Sequence, residues 1–255
     1  MFTIVNPNPS GCKICGGPSP LFGVVDFHKS CIEARGKILN LSGRPIYYRR
    51  CTNCAFTFTD EFDDWSTEAF LAHIYNHEYA VVDPDYGVAR PTSNAKVIAE
   101  TFLASKNSLS ILDFGGGNGL LASTLVQNGF NATTYDPFSN FTERPRGPFN
   151  LITCFEVMEH SPFPNRTVSE MSQLLADDGL ILFSTLTQPA NFDELRLHWW
   201  YASPRNGHVS LYSRRSLALL FQQNGLQLRS LTDLVHVAFR ELPEFAAHLV
   251  AGNQA

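Results

Sequence analysis

A run of small residues follows a short apolar segment in the middle of the chain. Residues 115–119 read Gly-Gly-Gly-Asn-Gly, directly after the apolar segment 110–114 and before a helix-forming stretch that starts at Leu120. Glycines permit the positive φ angles of a tight strand-to-helix turn, and they let a ligand approach bare backbone. The first turn of the following helix also offers free amide donors. We therefore expect this segment, the glycine loop, to hold a ligand through its backbone.

Two acidic residues indicate which ligand the glycine loop suits. Asp113 immediately precedes the loop, and Asp136 ends the next predicted strand. Residues 117–122 fit the Gly-x-Gly-x-x-Ala pattern of dinucleotide sites, but the Asp113 carboxylate would repel a pyrophosphate. S-adenosylmethionine (SAM) has no phosphate and carries an ammonium and a sulfonium group, which a nearby carboxylate favours. Asp136 would bind the ribose hydroxyls of either ligand, so it supports a nucleoside cofactor without choosing between them.

Acidic residues and a histidine follow the predicted strand 150–155. Residues 156–160 read Glu-Val-Met-Glu-His, at the kind of strand end where α/β sheets bind ligands. SAM is a methyl donor, and methyl transfer to a hydroxyl group needs a base that removes the hydroxyl proton. A histidine with its ordinary pKa of about 6.5 suits that task. We expect His160 to be the general base with Glu159 beside it, whereas a core or helix-capping histidine is the alternative. The candidate cofactor-binding residues are Asp113, Gly115, Gly117, Asp136, Phe155 and Glu156.

A second candidate base lies in a long connection, residues 187–213, which we call the histidine loop. Long ordered loops in compact domains are commonly functional. Residues 199–201 read Trp-Trp-Tyr and suit stacking on a sugar or aromatic acceptor, or alternatively packing onto the core. Arg205 suits an anionic group of the acceptor, and His208 is the second candidate catalytic base.

Two Cys-x-x-Cys pairs lie near the start of the chain. Two such pairs complete a tetrahedral zinc site with no open position, which predicts a structural rather than a catalytic ion. A region this small, with few apolar residues, needs such an ion to fold. His28 and Cys31 form another pair that could compete for a ligand position, and buried thiols without metal are the alternative. The candidate metal ligands are Cys12, Cys15, Cys51 and Cys54.

An alternating sheet-and-helix scaffold must position these residues. From residue 109 onward, short apolar strands alternate with amphipathic helices, which predicts an α/β fold with a doubly wound, mostly parallel, Rossmann-like sheet. We expect three regions. They are a small zinc-binding β region (residues 1–60), a helical connector or lid (61–93) and a cofactor-binding domain (94–255).

Composition limits the partners of the chain. Of its 255 residues, 44% are hydrophobic and 17% are charged, with a formal net charge of −5. A packed core is therefore expected, and a broad nucleic-acid surface is not. Apolar runs stay short of the roughly 18 residues that indicate a membrane span, and the start does not resemble a leader peptide. We expect no membrane span and a cytoplasmic location, with the oligomeric state left open.

Three motifs in a fixed order resemble those of class I SAM-dependent methyltransferases. They are residues 112–119, 149–160 and 174–185, and the resemblance extends from about residue 94 to the C-terminus. It implies that the acidic residue of the first motif, Asp113, serves the methionine part of SAM. It also implies that the acidic residue after the second strand, Asp136, serves the ribose.

Two further likenesses point to particular branches of these enzymes. In ubiquinone-type O-methyltransferases, a similar Glu-x-x-Glu-His is associated with substrate positioning and, in some members, with a divalent metal. Such a metal would here lie on Glu156, Glu159 and His160. The cysteine region resembles zinc-ribbon extensions found on some sugar methyltransferases.

One departure from the family pattern concerns the adenine. Only residues 137–148 separate the second predicted strand from the strand that carries the Glu-x-x-Glu-His segment. The usual third strand and its acidic loop are therefore expected to be shortened or missing. Phe138, Phe141 and Thr142 are the candidate adenine contacts.

The expected function is SAM-dependent methyl transfer to a small-molecule or sugar acceptor, at oxygen, with a histidine general base. Three alternatives stay open. They are C-methylation of a nucleotide sugar, an NAD-dependent oxidoreductase and a non-catalytic zinc-ribbon binding protein.

Overall fold

Two β-sheets organise the fold, and the computed structural model describes residues 11–251. Residues 1–10 of the expected zinc region and 252–255 of the expected cofactor domain lie outside the described residues. Within the described part the strands are β1 (Leu21–Asp26), β2 (Pro45–Arg50), β3 (Thr57–Thr59), β4 (Ser110–Phe114), β5 (Asn131–Tyr135), β6 (Phe149–Phe155), β7 (Leu175–Ser184), β8 (Ser210–Leu211), β9 (Gln227–Ser230) and β10 (Val235–Phe239). The α-helices are α1 (Thr67–His73), α2 (Tyr79–Val82), α3 (Ala89–Thr101), α4 (Leu120–Gln127), α5 (Pro164–Leu174), α6 (Phe192–Leu195) and α7 (Arg214–Gln223).

The larger sheet has the strand order β5-β4-β6-β7-β10-β9. The pairs β5·β4, β4·β6 and β6·β7 are parallel, and β10 is antiparallel to both of its neighbours. The central strands β6 and β7 are buried along most of their length, as parallel strands covered by helices on both faces must be. This arrangement confirms the predicted Rossmann-like α/β fold. It also brings the glycine loop and residues 156–160 to the same edge of the sheet.

The smaller sheet is antiparallel, with the order β1-β2-β3-β8. Its fourth strand, β8, belongs to the histidine loop rather than to the N-terminal region, and it pairs with β3. The Phe56 ring stacks on Phe58 and packs at a tilt against Tyr212, which continues this contact into the main core. The cysteine region therefore shares both a sheet and a core with the predicted cofactor domain.

The start and the end of α7 follow local sequence signals. Ser213 and Ser216 form a reciprocal capping box at the start of α7, and Gly225, at φ +74°, follows its end. Helix α3 runs from Ala89 to Thr101, so it crosses the predicted border between lid and cofactor domain at residues 93 and 94. The three-region division remains a prediction.

No strand forms between β5 and β6 in the described structure, which agrees with the expected loss of the third strand. A loop replaces it, and the carbonyl of Phe141 in this loop accepts a hydrogen bond from the Asp136 amide at 2.9 Å. Among residues 11–251, no helix is both long enough and apolar enough to cross a membrane. The cytoplasmic location remains a prediction.

Candidate functional site

Asp113 lies beneath the glycine loop and is almost fully buried. Its Oδ1 accepts a hydrogen bond from the Thr153 hydroxyl at 3.0 Å, whereas Oδ2 has no partner within the described structure. A side chain at Gly116 would place its Cβ 2.1 Å from Asp113 Oδ2, so only glycine allows the loop to close over the carboxyl group. Burial raises the pKa of Asp113 to about 7, and the Thr153 hydrogen bond opposes the rise.

Asp136 connects the end of β5 to the glycine loop. Its two carboxylate oxygens accept hydrogen bonds from the Gly117 amide at 2.8 Å and the Phe138 amide at 2.7 Å. Burial raises its pKa, and these two amides oppose the rise. The carboxylate thus fixes the loop at the position where the sequence predicts a ribose.

Glu156 has a strained backbone at the end of β6. Its φ is +56°, which is uncommon for a residue with a side chain and is typical of functional sites. The Ser184 hydroxyl accepts a hydrogen bond from the Glu156 amide at 3.0 Å and donates one to Glu156 Oε1 at 2.8 Å. Ser184 ends β7, and its contact with Glu156 depends on strand register, which no sequence motif indicates.

The two predicted bases and Glu159 come together, although they originate from different segments. One ligand-type atom from each of Glu159, His160 and His208 lies within 4.8 Å of the others, and the two imidazole centroids are 4.9 Å apart. We refer to Glu159, His160 and His208 as the catalytic cluster, after the role that the sequence predicts for them. Tyr201 holds two of its members. Its hydroxyl donates to Glu159 Oε1 at 2.6 Å, and its carbonyl accepts from His208 Nδ1 at 2.8 Å.

Burial controls the charges of the catalytic cluster. It lowers the pKa of His160 to about 4, with a further contribution from the Arg90 cation, and it lowers the pKa of His208 well below its ordinary value. Burial also raises the pKa of Glu159 to about 8, with the Glu156 charge as the second cause. Both imidazoles are therefore neutral near pH 7 and can accept a proton.

The lid segment (residues 61–93) supplies a cation that the sequence motifs do not indicate. Arg90 Nη1 and Nη2 donate to the two carboxylate oxygens of Asp83 at 2.9 and 2.8 Å, and the Arg90 charge acts on both Glu156 and His160. Asn118 of the glycine loop donates to the Gly87 carbonyl at 2.9 Å, which ties the lid to the loop. A cation in the first turn of α3 opposes the helix dipole, but this signal is visible only once the helix is seen to begin at Ala89.

Arg205 does not point toward an acceptor, contrary to the expectation for the histidine loop. Its side chain is buried and donates to the Ile74 carbonyl and to Asn76 Oδ1, both at 3.0 Å. These bonds hold the lid instead. Trp199 and Tyr201 are buried in the core, and only Trp200 of the aromatic trio is exposed, at 39%. Two of the three rings therefore pack onto the core, which was the alternative to stacking on an acceptor.

Aromatic residues of the 137–148 loop contact both the lid and the glycine loop. The Phe138 ring packs against Phe70 and Tyr75, with centroid distances of 5.7 and 5.5 Å. The Phe141 ring lies 2.8 Å from where a Cβ on Gly119 would be, and the φ of +76° at this position also favours glycine. The adenine contacts remain a prediction.

The four predicted zinc ligands form one cluster. Their sulfur atoms lie within 4.8 Å of one another, with Cys12–Cys54 at 3.6 Å and Cys15–Cys51 at 3.4 Å. Tetrahedral coordination at the usual Zn–S bond length places sulfurs about 3.8 Å apart, so the spacing fits zinc. Neither His28 nor Cys31 joins this cluster. His28 Nδ1 bonds the Asn40 carbonyl, and Cys31 lies against His208.

Similarity to known proteins agrees with this geometry. A family model described as "Methyltransferase domain" matches residues 86–231. A ubiquinone biosynthesis O-methyltransferase of Bordetella avium is 27% identical over 108 residues, which is 32% of this chain and 45% of that protein. Its counterpart from Colwellia psychrerythraea is 30% identical over 112 residues, 33% of this chain and 46% of that protein. The chain thus matches slightly less than half the length of these curated relatives.

Solved structures also resemble the fold. An O-methyltransferase family protein from Burkholderia thailandensis has a TM-score of 0.48 and 13% identity, with 70% of this chain and 64% of that chain covered. The family model spans more than half of the sequence and includes the glycine loop, Asp136 and the catalytic cluster's Glu159 and His160. This confirms the resemblance seen in the three motifs, and the chain belongs to the methyltransferase-domain family.

Proposed function

We propose that the protein transfers a methyl group from SAM to a hydroxyl of a small-molecule or sugar acceptor. The observation that carries the proposal is the convergence of the catalytic cluster with Asp113, Asp136 and the glycine loop at one edge of the sheet. SAM requires acidic side chains beside a backbone loop that accepts a nucleoside, and a hydroxyl acceptor requires a neutral imidazole.

Asp113 and Glu156 supply the negative charge for the cofactor. SAM carries a sulfonium and an ammonium group, and the free Oδ2 of Asp113 is a buried acceptor with no protein partner within the described residues. The backbone of Gly115 and Gly117 lines the same turn, and Asp136 stands at the ribose position. Phe155 and Glu156 complete the proposed cofactor set at the end of β6. When bound, SAM supplies the electrophilic methyl carbon.

The methionine carboxylate of SAM requires a cation, and Arg90 is the group we assign to it. Arg90 already faces the Glu156 side of the site, and Asp83 keeps its guanidinium in place. A charge-assisted hydrogen bond to a carboxylate is stronger than one between neutral groups. Asp83 and Arg90, both in the lid segment, thus form the proposed binding site for the methionine carboxylate of SAM.

Arg90→Ala is expected to weaken SAM binding by about 10-fold or more, because it removes a charge-assisted contact. Binding of 5′-methylthioadenosine, which has no carboxylate, should be unchanged. Calorimetric titrations of both ligands measure this, with Arg214→Ala as the control because Arg214 pairs with Asp233 on the surface. Equal weakening of both ligands would contradict the assignment.

The reaction places the acceptor hydroxyl against the catalytic cluster. His160 or His208 takes the hydroxyl proton, and the oxygen forms a bond to the methyl carbon. The carbon–sulfur bond breaks with its electron pair on sulfur, which leaves the methyl ether and S-adenosylhomocysteine. Glu159, held by Tyr201, lies beside the imidazole that takes the proton. The curated relatives are named as O-methyltransferases, which supports oxygen as the acceptor atom.

The cysteine cluster is proposed to bind one structural zinc ion that supports the catalytic loop. The Ser213 hydroxyl donates to the Cys54 carbonyl at 2.7 Å, and Tyr48 donates to the His208 carbonyl at 2.6 Å. Together with the β3·β8 pairing, these contacts connect the cysteine region to the segment that carries His208. Zinc therefore acts at a distance from the chemistry, through the position of the loop.

Elemental analysis of freshly purified protein is expected to give about one zinc per chain, as four thiolates in tetrahedral spacing require. Cys51→Ser should lose the ion and unfold at a lower temperature, since metal binding is coupled to folding. Cys154→Ala is the matched control, because Cys154 is buried in β6 and should leave the zinc content unchanged. Protein that folds normally with no zinc would refute a structural ion.

Transfer of the tritiated methyl group from labelled SAM to a panel of hydroxylated acceptors tests the reaction. Catechols, such as 3,4-dihydroxybenzoate, and free or nucleotide-linked sugars represent the two acceptor classes. We expect the label to be recovered as an acid-stable methyl ether. Label recovered on carbon would contradict transfer to oxygen while leaving SAM as the donor.

A further inference from the structure

The catalytic cluster has the composition of a metal site that shares no residue with the cysteine cluster. Glu159, His160 and His208 bring one carboxylate oxygen and two imidazole nitrogens within 4.8 Å of one another. We propose that it binds one divalent transition-metal ion of the zinc class. This inference goes beyond the proposed reaction, because binding of the ion does not depend on methyl transfer.

Each member of the cluster has an atom that can bind a metal ion, although the Cys31 thiol lies 4.0 Å from His208 Nε2 and the Thr185 hydroxyl interacts with Glu159. Glu159 Oε1 accepts the Tyr201 hydroxyl, whereas the buried Oε2 has no partner within the described residues. His208 donates through Nδ1 to the Tyr201 carbonyl, so its Nε2 carries the lone pair. His160 Nδ1 is also buried without a partner in the described structure. Metal-binding histidines characteristically donate their second N–H to a carbonyl or carboxylate, as His208 does here.

The ligand set differs from the one that the Glu-x-x-Glu-His resemblance implies. Glu156 is not part of the cluster, because its backbone turns at positive φ and Ser184 donates to its Oε1. His208, from the histidine loop, takes the third position instead. The site therefore offers two imidazoles and one carboxylate rather than two carboxylates and one imidazole.

This exchange changes the preferred ion. Mg²⁺ prefers carboxylate, carbonyl and water oxygens, whereas imidazoles select Zn²⁺ and its neighbours in the first transition row. Two histidines and one glutamate are also the ligands of a recurrent zinc site with an open position. The charges of Glu156 and Asp83 partly offset that of Arg90 around the cluster. An ion here would occupy the nitrogen lone pairs that the proposed base uses, so the loaded protein should turn over more slowly.

Titration with Co²⁺, a spectroscopic substitute for Zn²⁺, tests the site directly. The full chain is used with its zinc content measured beforehand, and calorimetry is combined with the visible spectrum. We expect one Co²⁺ per chain to bind in addition to the ion already present, and Mg²⁺ to bind far more weakly. His208→Ala should weaken Co²⁺ binding by about 100-fold or more, because loss of a ligand exceeds the effect of losing a group that orients one.

Two matched pairs of variants separate this ligand set from its alternatives. Glu156→Gln should leave Co²⁺ affinity within about threefold, and Tyr201→Phe should lower it by about 10-fold. Tyr212→Phe is the control for Tyr201, since its buried hydroxyl donates to the Met158 carbonyl at 2.9 Å and touches no ligand. If His208→Ala does not fold, His160→Gln makes the same test.

Several results would overturn the inference. They are absence of a further Co²⁺ in the unaltered protein, equal loss in Glu156→Gln and His208→Ala, or Mg²⁺ binding as tight as that of Co²⁺. A SAM titration of the same sample separates the two proposals. SAM binding without Co²⁺ binding contradicts only the metal site, and Co²⁺ binding without SAM binding contradicts only the proposed reaction.

Discussion

Replacing His160 or His208 with alanine is expected to lower methyl-transfer turnover by about 100-fold or more, while SAM affinity changes by less than about threefold. A general base acts on the acceptor proton and not on the cofactor, so its loss appears in turnover alone. Both imidazoles are enclosed, and burial keeps them neutral by lowering their pKa values. Release of labelled methyl ether and SAM calorimetry measure the two quantities.

His236→Ala is the matched control for the two catalytic variants. His236 is also fully buried, but its ring bonds the Ser230 hydroxyl and the Thr185 carbonyl outside the catalytic cluster. Its replacement should lower the unfolding temperature and leave turnover within about threefold, since it removes only structural hydrogen bonds. Unchanged turnover in both catalytic variants, or equal losses in all three, would exclude histidine base catalysis at this site.

Asp113→Asn is expected to weaken SAM binding by about 10- to 100-fold, because the amide keeps the shape and the Thr153 hydrogen bond but removes the charge. S-adenosylhomocysteine has no sulfonium, so its affinity should fall much less. The difference between the two ligands isolates the contribution of the sulfonium–carboxylate attraction. Equal effects on both ligands would show that Asp113 shapes the loop without acting on the sulfonium.

The pKa of Asp113 predicts how SAM affinity depends on pH. Because burial raises the pKa of Asp113 to about 7, the carboxyl group is neutral below that pH and anionic above it. SAM affinity should therefore rise as the pH increases through about 7 and then level off, whereas Asp113→Asn should lose this dependence. Titrations at one pH unit on either side of neutrality measure the effect. An identical pH profile in the variant would assign the dependence to another group.

The sequence predicts the parts of the site that local patterns control. The glycine loop follows from its strand–turn–helix setting and from the need for backbone without side chains, and the structure adds that a Cβ on Gly116 would lie only 2.1 Å from Asp113 Oδ2. The four cysteines follow from paired spacing alone. The missing third strand follows from the length of the segment between Asp136 and β6, which is too short for a strand and its crossover.

Other parts of the site and of the fold depend on contacts between distant segments, which local periodicity does not predict. The partnership of Ser184 with Glu156 arises from the register of two neighbouring strands. Arg205 has the sequence context of an acceptor-binding residue, yet its guanidinium is used by the lid. The pairing of β8 with β3 likewise places a two-residue segment of the histidine loop in the N-terminal sheet. In each case tertiary packing decides among locally equivalent possibilities.

A pair of calorimetric titrations of the purified full chain, one with SAM and one with NADH, tests whether the glycine loop binds SAM. The glycine loop would serve either cofactor, whereas Asp113 disfavours the pyrophosphate of the dinucleotide and favours the SAM cation. We expect saturable binding of SAM at one site per chain and no measurable binding of NADH. Tight binding of NADH without binding of SAM would contradict it.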